Sequence, residues 1–132
     1  MKTKTIVIVE DNELNLELAI DLLEIHGYNV LGIRSAEEAL HLIARLQPDL
    51  VLMDIALPGM DGLEAAKRLK SDEKTVHIPV VVVSAHAMQG DRESAVSAGC
   101  AGYMTKPIQT RTFVQSIEKL MEEIDDLRMS SR

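Results

Sequence analysis

The sequence predicts an α/β domain, a doubly wound parallel sheet of five strands interleaved with five helices. Three observations predict it. Leu50-Val51-Leu52-Met53 and Val80-Val81-Val82-Val83 are unbroken apolar runs bounded by breakers, the pattern of strands buried on both faces. The stretches between strand-like runs carry apolar residues at helical spacing. Strand and helix alternate along the whole chain, which calls for right-handed crossovers and helices on both faces of the sheet.

Thr5–Val9 is β-branched and apolar, a buried strand that ends in Glu10-Asp11-Asn12. A helix is expected from about Glu13 to His26, closed by Gly27. Leu18, Ala19, Leu22 and Leu23 make its inward face, and Leu16 and Ile20, four apart, make a second. Tyr28–Ile33 is a weaker strand, suited to a place near an edge. Ser35 with Glu38 has the form of a capping box, opening a helix over 36–46 with Ala39, Leu40, Ile43 and Leu46 inward. The run to Asp54 follows, and Pro58, Gly59 and Gly62 force a loop. A helix over 62–70 turns Leu63, Ala66 and Leu69 inward, and 71–77 reads as loop.

After Val80–Ser84 come a loop over 85–90 and a short, weakly hydrophobic helix over 91–98. A tight small-residue connection leads to the short strand Tyr103–Thr105 and then Lys106-Pro107. The last helix, over 110–127, buries Phe113, Ile117, Leu120 and Ile124. One domain is expected over residues 1–124, with 125–132 as the helix end and a frayed tail.

A chain of 132 residues can bury enough surface to fold without staples. The single cysteine, Cys100, rules out an internal disulfide and fits a reducing compartment. The apolar runs are too short to span a bilayer and no basic-then-apolar leader opens the chain, so a cytoplasmic protein without membrane insertion is expected. A net charge of −7, with only two tyrosines and one phenylalanine, argues against direct nucleic-acid binding, which needs basic charge and stacking surfaces.

In a parallel sheet the loops after the strands open on one edge, where such folds place their ligands. Here those loops carry Glu10-Asp11, Asp54, Ser84 and Lys106-Pro107. Each has a plain alternative. Asp54 can simply end a strand, Glu10 and Asp11 can favour a helix N-terminus, and Ser84 can cap. Carboxylates drawn together repel, by about 4 kcal/mol for two unit charges about 4 Å apart at an effective dielectric near 20. Either a proton is held at raised pKa or a cation enters. Oxygen-only donors favour Mg²⁺, or Mn²⁺, over zinc. A metal beside a carboxylate nucleophile suits phosphoryl transfer, with Lys106 pairing one phosphoryl oxygen and Ser84 donating to another.

Glu10-Asp11-Asn12, Asp54-Ile55-Ala56-Leu57-Pro58-Gly59-Met60-Asp61-Gly62, Ser84-Ala85, Tyr103 and Lys106-Pro107 resemble the receiver domain of two-component response regulators. The resemblance runs from about Lys4 to Glu123. It implies strand order 2-1-3-4-5 and a flavodoxin-like frame. It implies that Asp54 is the phosphoacceptor, served by the phosphohistidine of a histidine kinase or a phosphotransfer protein. Asp11 and Asp54 would be Mg²⁺ ligands, with Glu10 acting through a water and the Ala56 carbonyl as a backbone ligand. Lys106 would meet the phosphoryl oxygens, Ser84 would move to bond the group, and Tyr103 would swing into the vacated space. The Lys106-Pro107 bond is similar to one that is cis in the family.

The resemblance places an output face around Arg92, Tyr103 and Thr112, and a docking surface for the phosphodonor around Leu14, Leu16, Ile20 and Ile108. Ala56 and His86 stand at positions that modulate dephosphorylation, and Ala56 has no side chain to place a water, so slow self-dephosphorylation is expected. Such a protein is not an enzyme beyond its own phosphorylation and dephosphorylation. With only a short tail after the last helix, a single-domain regulator acting on an unidentified downstream protein is expected, most similar to the DivK-like group.

Three rivals share parts of this pattern. A Mg²⁺-dependent aspartyl-nucleophile phosphatase would want an acid where Ala56 stands. A nucleotide or flavin carrier would want a glycine-rich loop where Glu10-Asp11-Asn12 stands. A receiver excised from a hybrid kinase or multidomain regulator would share every residue named.

Overall fold

The computed structural model describes residues 3–85, 89–106 and 109–130; the side chains of Gln89, Asp91 and residues 128–130 lie outside the description. Its elements are β1 (Thr5–Val9), α1 (Glu13–Ile25), β2 (Asn29–Ile33), α2 (Ala36–Leu46), β3 (Leu50–Asp54), α3 (Gly62–Ser71), β4 (Val80–Ser84), α4 (Gln89–Ser97), β5 (Gly102–Thr105) and α5 (Phe113–Ser130). The strands form one parallel sheet in the order β2-β1-β3-β4-β5, as expected.

Alternation along each strand sorts side chains onto two faces. Val7, Val9, Val51, Met53, Val80 and Val82 meet Ala39 and Ile43 of α2, Ala65, Ala66 and Leu69 of α3 and Ala95 of α4. Ile6, Ile8, Leu50, Leu52, Val81 and Val83 meet Leu16, Ala19 and Leu23 of α1 and Phe113, Val114, Ile117 and Met121 of α5. The unbroken apolar runs are thus the strands covered on both sides. β2, the weaker strand, is an edge, and so is β5.

Side-chain pattern departs from expectation at a few places. Leu18 and Leu46, expected inward, are 39% and 45% exposed. The inward stripe of α1 is Leu16, Ala19 and Leu23, spaced i, i+3, i+7. Leu16, expected on a separate outer face, is therefore core, and Ile20 is half-buried beside it. The reason is Gly32 on β2. A Cβ there would stand 2.8 Å from Ile20 Cδ1 and 3.0 Å from both Leu16 Cδ atoms, so the bare backbone admits them. At the other end, Thr112 and Phe113 amides both donate to the Gln109 carbonyl, at 3.1 and 2.8 Å. That turn delays α5 to Phe113, and the helix runs on to Ser130, past the expected end. Among the described residues no helix is long and apolar enough to cross a membrane.

Candidate functional site

β1 and β3 are neighbours, with β4 beside β3, so their carboxyl ends lie side by side. The Glu10 amide donates to the Ile33 carbonyl at 2.9 Å, which carries the β1–β2 ladder one residue past β1. The Glu10 carboxyl is buried as a result. Asp54, the last residue of β3, is buried with it. Lys106 follows β5, and its amide donates to the Ser84 carbonyl at 2.7 Å. Its side chain comes back over the edge: Nζ donates to Glu10 Oε1 at 2.6 Å and to Asp54 Oδ2 at 2.7 Å. Asp54 Oδ1 accepts from the Ala56 amide at 3.0 Å. Asp11 is half-buried beside them, and one oxygen from each of Glu10, Asp11 and Asp54 falls within 4.8 Å of the others.

The two acids precede α1 but do not cap it. Asn12 is the N-cap of α1 and accepts from the Asn15 amide at 3.0 Å, so that role is filled. The Lys106 ammonium, in contact with both Glu10 and Asp54, offsets part of the carboxylate repulsion. Burial, then the hydrogen bond shared with Asp54, pushes the Glu10 carboxyl above its ordinary range. Burial also pushes the Asp54 carboxyl up, but its contacts with Glu10, Lys106 and the Ala56 amide outweigh that and leave it lowered. Burial opposes charge on Lys106, yet Asp54 and Glu10 outweigh it and raise the ammonium pKa.

The donor set fits a hard divalent cation. It is three carboxylates without nitrogen or sulfur, with Asp11 only partly covered. Ser84, at the end of β4, is buried one register step beyond the Asp54–Val83 pair. Tyr103, in β5, is half-buried, and the Arg92 guanidinium lies 5.3 Å from its ring centroid. An open cleft of about 480 Å³ runs along this flank between Arg92, Tyr103, Thr112 and Lys119. Leu14 is 76% exposed on α1. Pro107, Ile108 and His86 lie outside the described residues.

Two residues at this edge escaped the sequence reading. Arg34 Nη2 donates to the Asp11 carbonyl at 2.9 Å, and Glu37 Oε1 accepts from the Met60 amide at 2.9 Å. The one signal was topological: the turn after β2 must open on the same edge as the others.

Comparison with known proteins places the geometry in company. The family model for the response regulator receiver domain matches residues 6–118. The polar-differentiation response regulator DivK of Brucella ovis is 49% identical over 119 residues, covering 90% of this chain and 97% of that protein. A CheY-like receiver domain protein from Methanospirillum hungatei is 27% identical, with a TM-score of 0.86 over 95% of this chain and 98% of that one. The receiver domain of a Pseudomonas aeruginosa sensor histidine kinase, solved with a magnesium ion coordinated in its active-site cleft, is 29% identical. Its TM-score is 0.82, over 92% of this chain and 99% of that one.

Proposed function

This chain belongs to the response regulator receiver family, and on that premise we propose that it is a phosphorylation-dependent signalling switch with Asp54 as its phosphoacceptor. The observation that supports this best is the buried Asp54 carboxylate, kept anionic by Lys106 and the Ala56 amide, with Glu10 and Asp11 alongside. An Asp54 oxygen attacks phosphorus, the bond from phosphorus to the donor's histidine nitrogen breaks, and that nitrogen leaves with its electron pair. Glu10, Asp11 and Asp54 would hold Mg²⁺, or Mn²⁺, with the Ala56 carbonyl. The ion supplies neutralisation of the phosphoryl oxygens.

Lys106, already 2.7 Å from Asp54, needs little movement to meet a phosphoryl oxygen. The new group brings charge near −2 and three acceptor oxygens to the end of β3. Ser84 and Tyr103 read that change, and the flank of Arg92, Tyr103 and Thr112 passes it to a downstream protein. Leu14, with half-buried Ile20, is the proposed landing place of the phosphodonor, a histidine kinase or histidine phosphotransfer protein in the cytoplasm; buried Leu16 supports it from beneath. The name of the Brucella ovis relative, a polar-differentiation response regulator, supports a role in polar differentiation.

The test is incubation with Mg²⁺ and acetyl phosphate, read by intact mass. The parent gains one phosphoryl group and Asp54→Asn gains none. Equal labelling of both would remove Asp54 from the account. Ala56 leaves no side chain to place an attacking water, so the phosphorylated form decays slowly; a half-life of seconds in Mg²⁺ contradicts that. A second reading, a receiver unit within a hybrid kinase, has the likeness to the Pseudomonas domain behind it. The mass of the cellular protein against the 14.6 kDa of this chain decides between them.

A further inference from the structure

Between β2 and α2 the chain makes one short turn, and two of its side chains reach in different directions. Arg34 reaches to the β1–α1 loop, where its guanidinium donates to the Asp11 carbonyl at 2.9 Å. Glu37, in the first turn of α2, reaches to the β3–α3 loop, where its carboxylate accepts from the Met60 amide at 2.9 Å. Gly59 is shaped for that second contact. Its φ is +76°, and a Cβ there would stand 2.9 Å from Glu37 Oε1. The Ile33 carbonyl, one residue before Arg34, already holds the Glu10 amide.

The β2–α2 connection therefore grips both the loop that carries Asp11 and the loop that follows Asp54 and carries Ala56. The grips are a charged donor on a carbonyl and a charged acceptor on an amide, the stronger kinds of hydrogen bond. Arg34 and Glu37 are themselves exposed, so the contacts add little to stability as such. Their effect falls on geometry. A cation held by Asp11 and the Ala56 carbonyl beside Asp54 needs the β1–α1 and β3–α3 loops at a set separation, and outer contacts that fix ligand position commonly govern affinity.

We propose that the Arg34–Glu37 turn is a brace that sets the gap between the Asp11 and Ala56 loops and thereby tunes divalent-cation affinity. Arg34 and Glu37 are positioning residues and touch no ligand. The inference rests on the divalent-cation reading of Glu10, Asp11 and Asp54. Simple charge effects make a contrasting forecast. Arg34 is a cation near a cation site, so electrostatics alone has Arg34→Ala binding metal more tightly. The brace has it binding more weakly.

The experiment is Mn²⁺ titration of the full chain, following the free-ion paramagnetic resonance signal, for the parent, Arg34→Ala, Glu37→Ala and Glu37→Gln. Each alanine variant is expected to weaken binding about tenfold. Glu37→Gln keeps an acceptor oxygen and should recover most of that loss. Thermal melting of each variant should stay within about 4 °C of the parent. Tighter or unchanged binding by Arg34→Ala overturns the brace. So does a Glu37→Gln as weak as Glu37→Ala, or a loss of affinity that appears only with a fall in melting temperature. A parent that binds no Mn²⁺ overturns the cation reading and the brace together, whereas equal binding by parent and variants overturns the brace alone.

Discussion

The two flanks of the carboxyl edge are built to different standards. β1 and β3 lie inside the sheet; every residue of β3, and of β1 after Thr5, is buried. The acids at their ends share Lys106 at 2.6 and 2.7 Å. On the other flank no residue of β5 is buried, and α4 buries only Ala95 among its described side chains while Val96 is 72% exposed. The phosphoryl transfer proposed at Asp54 needs its partners held to a fraction of an ångström, whereas the proposed signal needs an element with two arrangements close in free energy. Few buried apolar contacts are what low local stability looks like. β4, ending in buried Ser84, is the seam between the flanks.

The sharpest break would come from paired truncations. Met53, fully buried in β3, should cost about 2–5 kcal/mol as Met53→Ala. Val96→Ala should stay within about 0.5 kcal/mol. Urea unfolding measures both, and similar costs would erase the contrast. Next in size is Lys106→Met, which leaves Glu10 and Asp54 facing each other without their shared cation. A cost of about 3 kcal/mol is expected, the lower end for stripping one partner from a buried pair, because Glu10 can take up a proton. Added Mg²⁺ should recover part of it; a loss indifferent to Mg²⁺ would mean that the three acids hold no cation.

The strands buried on both faces were the more legible in sequence. Val80–Val83 and Leu50–Met53 announce themselves because burial on both faces leaves no polar position in the run. Asp54 stood out as the acid that ends one of them. Periodicity was less sure on α1, where eight aliphatic residues fit more than one stripe and Gly32, a neighbour in space and not in sequence, makes room for Leu16 and Ile20. Arg34 and Glu37 were invisible for a related reason. Their partners are a backbone carbonyl and a backbone amide, which leave no mark in residue type.

The loose flank can be probed by a smaller change. Arg92 sits 5.3 Å from the Tyr103 centroid, and an exposed cation–π contact contributes roughly 0.5–1 kcal/mol. Arg92→Ala should lower amide-exchange protection in β5 and α4 and leave β1 and β3 unchanged. Uniform loss of protection over all five strands would show that the two flanks open together, and the comparison would fail.

The smallest effect expected belongs to Glu37, and its sign follows from the Met60 amide. That amide, with the residue's own backbone amide, holds the Glu37 carboxyl below its ordinary 4.5. A carboxyl lowered by folding contributes stability that is present above its unfolded pKa and lost as pH falls through the folded one. Glutamine keeps an acceptor but has nothing to titrate. The parent should therefore exceed Glu37→Gln in urea midpoint at neutral pH, and the gap should begin to close below about 4.5 and vanish further down. A gap that holds constant or widens in acid would mean that the carboxylate charge is not what ties the β3–α3 loop to α2. The loop beside Asp54 would then owe its place to Leu57, buried in the stiff flank's own core.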